Sequence, residues 1–198
     1  GLAERGIGVL RFDFTGIGES GGDFAETSFT TNVSDIRAAA TWMAEQGRPV
    51  SLLVGHSLGG SAALVSAGAV EGLKAVATIG APAETGHAIR QFDGHVDTIE
   101  TKGQAEVVLG GRTFTVRRQM LEDLRTADVS KAIETLRLPV LLLHAPGDSV
   151  VGIENATELF VAARHPKSFV SLDDADHFLQ REEDTDFAAS VIAGWAGR

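Results

Sequence analysis

Cysteine is absent from the 198 residues, which excludes disulfides, a thiolate nucleophile and a cysteine-bound metal. The absence fits a reducing compartment, and a cytoplasmic location is the expectation. Positive charge is scarce. The chain has 17 lysines and arginines against 27 aspartates and glutamates, a formal charge of −10. Phosphate backbones require a basic face, and so do anionic lipid surfaces. Nucleic acid and membranes are therefore poor partners for this chain. A long apolar run is also lacking: residues 51–70 come nearest but are interrupted by His56 and by several serines and glycines. That composition suits a buried strand and a helix better than a membrane span. No signal-peptide pattern is visible at the start. His87 and His95 have no ligand-like neighbours, so neither a metal nor a cofactor is expected.

What is present describes an ordinary globular chain, 43% hydrophobic and 22% charged, long enough for one well-buried core. A single domain over residues 1–198 is expected. Residues 2–6 read as a helix end with Gly6 as its cap. Five short apolar runs bounded by turn residues read as buried parallel strands, at 8–14, 50–55, 74–79, 139–144 and 168–172. Helical segments alternate with them, at 30–46, 57–70, 153–163 and 186–196. Alternation of this kind implies an α/β fold with a mostly parallel sheet and flanking helices. Residues 83–138 break the pattern as an insertion after the third of these strands, either a lid or a decoration. Within it, 107–116 reads as a hairpin turning at Gly110 and Gly111, followed by helices near 119–125 and 130–136.

The strongest chemical signal is Gly55-His56-Ser57-Leu58-Gly59-Gly60. It satisfies G-x-S-x-G between an apolar strand and a helix of small residues, the setting of a nucleophile elbow. Gly55 and Gly59 let neighbouring backbone approach. The helix N-terminus favours an anionic intermediate, and the amide of Leu58 is the natural first oxyanion donor. His56, beside the nucleophile, is expected to shape the substrate pocket. The alternative is a structural turn with Ser57 as helix N-cap.

A serine hydroxyl needs a base, and the base needs an orienting carboxylate. Asp148 follows the run Leu141-Leu142-Leu143-His144, and His177 follows the next strand. Both belong where a sheet's carboxyl edge gathers reactive groups. The order serine, aspartate, histidine fits the elbow. Taken alone, Asp148 is equally a turn residue, and His177 a solvated histidine among Asp173, Asp174 and Asp176. Glu84 is an alternative acid. His144 reads as a packed histidine. Gly16-Ile17-Gly18-Glu19-Ser20-Gly21 matches a dinucleotide fingerprint, with Asp35 about 20 residues on. A polar segment rather than a helix follows it, so a tight glycine turn is the better reading.

With Asp13-Phe14-Thr15-Gly16-Ile17-Gly18-Glu19-Ser20, Gly-His-Ser-Leu-Gly-Gly, His-Ala-Pro-Gly-Asp and Asp-Ala-Asp-His in place, the chain resembles the α/β-hydrolase superfamily over essentially its whole length. Residues 11–16, 79–82 and 163–169 look most like the hydrolase part of bacterial proteins in which an OsmC-like domain follows. The resemblance implies an esterase-like enzyme acting on a small-molecule ester, with Ser57, Asp148 and His177 as its triad. It also implies strands upstream of residues 8–14, one of them beside the strand leading to Ser57, whose following loop supplies a second oxyanion donor. The sequence starts after that region, so a hydrolase-like module without catalysis is the alternative function. An open sheet edge would also invite pairing into a homo-oligomer.

Overall fold

The computed structural model describes residues 1–109 and 111–197. In chain order the helices and strands are α1 (Phe29–Glu45), β1 (Leu52–His56), α2 (Leu58–Ala67), β2 (Ala75–Ile79), α3 (Val96–Lys102), β3 (Gln104–Leu109), β4 (Arg112–Arg117), α4 (Arg118–Thr126), α5 (Val129–Thr135), β5 (Val140–His144), α6 (Glu154–Ala162), β6 (Lys167–Ser171) and α7 (Glu182–Ala196). Four strands form a parallel sheet in the order β1-β2-β5-β6, and β3 pairs antiparallel with β4. The fold is α/β, with helices on both faces of the parallel sheet.

β5 shows why the sheet is buried on both sides. All five of its residues are buried. Successive side chains point to opposite faces, so Val140 and Leu142 join the core formed with α1, α2 and α5, whereas Leu141 and Leu143 join Ala188 and Ile192 of α7. α2 lies close to the sheet because its inner face is small. A Cβ on Gly60 would stand 2.7 Å from the Cβ of Ala81, so a methyl group there has no room.

The segment 8–14 is not a strand, which corrects the expectation from its apolar sequence. It runs as irregular backbone with Val9, Leu10 and Phe12 exposed. Among the described residues no strand pairs with it or with the outer edge of β1. Apolar composition favours burial, but a strand exists only when a neighbour completes its hydrogen-bond ladder. Residues 2–6 form one 3-10 turn, Ala3–Arg5, closed by Gly6 at φ 79°. α7 starts a turn earlier than its apolar stripe indicates, with Glu182, Glu183 and Asp184 in the first turn, where negative charge meets the positive end of the helix dipole.

The insertion folds onto the main core rather than standing apart from it. Ile99, Val107, Val116, Leu121, Leu124 and Ile133 belong to the same buried cluster as Leu64 of α2. β3 and β4 extend the expected hairpin, with Leu109 opposite Arg112. Gly111 has φ 79°, and the expected turn residue Gly110 lies outside the described residues. No helix among the described residues is long and apolar enough to cross a membrane.

Candidate active site

Ser57 occupies the turn between β1 and α2 with φ 52° and ψ −131° and makes no side-chain capping bond. Its hydroxyl is therefore not spent on the helix, which removes the N-cap reading. A non-glycine residue in this region costs about 1–3 kcal/mol and persists only where its surroundings enforce it. Here the Ser57 amide donates to the Ile79 carbonyl at 2.9 Å, fixing the turn to the end of β2. Gly55 permits the tightness of the turn. A Cβ there would fall 2.4 Å from the Gly59 carbonyl oxygen and 2.6 Å from Gly60 Cα. Both are backbone atoms that cannot swing away. Gly55→Ala is expected to lower stability by about 1–3 kcal/mol or more, seen as a reduced urea midpoint. An unchanged midpoint would mean that the elbow has slack.

Asp148 sits in the turn after β5, where its amide donates to the Ala145 carbonyl at 3.1 Å. Its Oδ1 accepts from the amides of Val150 and Val151, both at 2.8 Å. That leaves Oδ2 facing His177 Nδ1 at 2.7 Å. The other ring nitrogen, Nε2, lies 3.0 Å from Ser57 Oγ. The structure thus brings the three residues singled out by sequence into one hydrogen-bonded chain, with Asp148 and His177 buried.

Burial raises the Asp148 carboxyl, but the hydrogen bonds from His177, Val151 and Val150 prevail and hold it below its ordinary value. An ionised carboxylate only accepts, so Nδ1 carries a proton, and in the neutral imidazole Nε2 is the nitrogen whose lone pair faces the serine hydroxyl. A carboxylate depressed in the folded state stabilises the fold fully above its unfolded value and loses that contribution as pH falls through the folded one. The stability gap between wild type and Asp148→Asn is therefore expected to narrow below the ordinary aspartate range in urea unfolding. A gap that widens on acidification would contradict the assignment.

His177 lies in a segment without regular structure, shaped by the Asp176 carboxylate, which accepts from the amides of Phe178 and Gln180 at 3.0 and 3.1 Å. Leu179 takes φ 49° in the same turn. The imidazole is flanked by two rings. That of His56 is centred 4.8 Å away, and that of Phe178 stands edge-on at 5.1 Å. His56 Nε2 meets the His177 carbonyl oxygen at 2.7 Å, and burial lowers the His56 pKa despite that bond. Leu58 opens α2, where first-turn amides lack intrahelical acceptors.

The competing residues fall elsewhere. Glu84 is exposed, and Asp148 occupies the Nδ1 position it would need. His144 is buried against the Val151 carbonyl at 2.8 Å. The glycine segment is a turn, closed by Gly16 N–H to the Gly21 carbonyl at 2.9 Å, and α1 opens only at Phe29. Asp35 accepts from the amide and hydroxyl of Thr15 at 2.8 and 2.9 Å and so anchors that turn. One neighbour of the site escaped sequence reasoning. Gly80, at φ 55°, has no side chain, and a Cβ there would lie 3.3 Å from Asp148 Oδ2 and 3.4 Å from His177 Nδ1. A glycine directly after a buried strand was the available signal.

The sequence model of the α/β hydrolase family matches residues 1–190, and the chain belongs to that family. In structure it is similar to the esterase domain of a Rhodothermus marinus protein, with 46% identity and a TM-score of 0.69 over 88% of this chain and 72% of that one. Mouse α/β hydrolase domain-containing protein 10 superposes with a TM-score of 0.72 at 23% identity, covering 93% of this chain and 76% of that one, a likeness of fold. Among curated proteins, the uncharacterized protein YfhR of Salmonella typhimurium is 26% identical over 176 residues, 89% of this chain and 56% of that protein. The chain thus spans just over half the length of that relative.

Proposed function

We propose that the chain is a serine hydrolase that cleaves carboxylic esters through an acyl-enzyme on Ser57. One observation carries this reading: the unbroken line from Asp148 Oδ2 through His177 to Ser57 Oγ, with contacts of 2.7 and 3.0 Å. In the first half-reaction Oγ attacks the ester carbonyl carbon as Nε2 takes its proton. The carbonyl oxygen gains negative charge beside the Leu58 amide at the start of α2. The C–O bond to the alcohol breaks, and the imidazolium returns the proton to the departing oxygen. In the second half-reaction water attacks the acyl-serine, again giving up its proton to Nε2, and the carboxylic acid leaves as Ser57 recovers its hydrogen. Asp148 keeps the imidazole in the required tautomer and stabilises its charged form. No step calls for a metal or an organic cofactor.

The similarity to an esterase domain at 46% identity supports the same reading. Phe178, 64% exposed beside the base, offers an apolar wall for an acyl or alkyl group. Incubation with a fluorophosphonate and with p-nitrophenyl acetate tests the proposal directly. Labelling confined to Ser57 and a burst of p-nitrophenol support it. Intact protein with neither would favour the second reading, a hydrolase-like module without catalysis.

A further inference from the structure

The base is the least anchored member of the candidate triad. Ser57 is fixed between β1 and α2, and Asp148 is held by two amides. His177 lies between β6 and α7, in neither strand nor helix. Its side chain is already engaged at both nitrogens, so its place depends on what holds its backbone. The Asp176 bonds are local to the same turn and move with it. His56 is different, because it is the last residue of β1 and the immediate neighbour of Ser57. Its Nε2 stands 2.7 Å from the His177 carbonyl oxygen. A carbonyl only accepts, so this nitrogen carries the proton and donates. Residues 56 and 57 therefore grip residue 177 twice, by its backbone and by its ring.

We propose that His56 is a positioning residue, tying the backbone of His177 to the end of β1 so that Nε2 stays within reach of the serine hydroxyl. The inference rests on the hydrolase reading above. It concerns geometry and not substrate contact, so the effect belongs in kcat rather than KM. Displacement of a reacting group by about 1 Å can cost up to about 100-fold in rate. Loss of the tether without loss of the fold falls within that bound.

The test compares wild type, His56→Leu and His56→Gln with p-nitrophenyl acetate. Proton NMR follows the downfield Nδ1–H of His177 shared with Asp148. Leucine removes the donor, whereas the glutamine amide places an N–H near the position of imidazole Nε2. His56→Leu is expected to lose about 10- to 100-fold in kcat with KM close to wild type, and to lose the sharp downfield proton. His56→Gln is expected to restore most of both. Wild-type kcat in the leucine variant, a raised KM at constant kcat, or a glutamine variant as slow as leucine would each overturn the proposal. Should His56→Leu fail to fold by circular dichroism, His56→Asn replaces it, since its shorter amide cannot span the gap. Equal rates for asparagine and glutamine would then count against the tether. If wild type neither labels nor turns over, the hydrolase reading fails on its own. The tether is then judged by NMR alone, and a downfield proton equally sharp in wild type and the asparagine variant refutes it.

Discussion

Ser57→Ala is expected to reduce kcat on p-nitrophenyl esters by roughly 10⁵- to 10⁶-fold and to abolish fluorophosphonate labelling, while leaving the protein folded. In the proposed mechanism this hydroxyl forms the acyl intermediate, and without it His177 Nε2, 3.0 Å from Oγ in the wild type, has no serine proton to take. In enzymes with this constellation, loss of the nucleophile alone costs about as much as loss of the whole triad, because the members act as a unit. Removing Oγ breaks no structural bond in the elbow, since it makes no capping contact with α2. Saturation kinetics and circular dichroism measured together would check both halves. A variant that kept even a tenth of the wild-type burst would exclude Ser57 as nucleophile.

Asp148→Asn is expected to lower kcat by about 10⁴-fold through a change of one proton's position. The amide oxygen of asparagine can still accept from Val150 and Val151, which bind Oδ1 at 2.8 Å, so the turn keeps its shape. The amide NH₂ then replaces Oδ2 against His177 Nδ1, now 2.7 Å from an oxygen. Two donors cannot face each other. Nδ1 must surrender its proton, and the hydrogen moves to Nε2, where it points at Ser57 Oγ and leaves no lone pair for the hydroxyl. Asp148→Ala would be a poorer experiment, because it strands two buried amides without an acceptor. Steady-state kinetics on the asparagine variant, shown to be folded by circular dichroism, is the decisive measurement. Activity within tenfold of wild type would show that the carboxylate does not set the tautomer.

The parts of this arrangement that could be read from sequence are those in which a residue's role is local. Val140 to Leu143 show a buried strand because any neighbours that bury it will do. Gly55 and Gly59 indicate a tight turn because backbone sterics are set within a few residues. Serine, aspartate and histidine each follow a strand in an order that suits one sheet edge, and the fold does gather them. Residues 8–14 show the opposite case: they are as apolar as a strand, but pairing is a property of two segments, and one segment cannot report it. The start of α7 was missed because Glu182, Glu183 and Asp184 carry no apolar stripe, and their contribution comes from the helix dipole. Gly80 and the His56 contact were out of reach for a third reason. Both depend on distances between segments more than 60 residues apart in the chain, and no periodicity encodes such distances.

The left-handed backbone of Ser57 (φ 52°) places function and robustness in opposition. The residue best suited to that conformation is glycine, which lacks both the Cβ that makes it costly and the hydroxyl that makes it useful. A population of variants sorted by heat tolerance alone would therefore drift toward Ser57→Gly, gaining thermal margin as it lost chemistry.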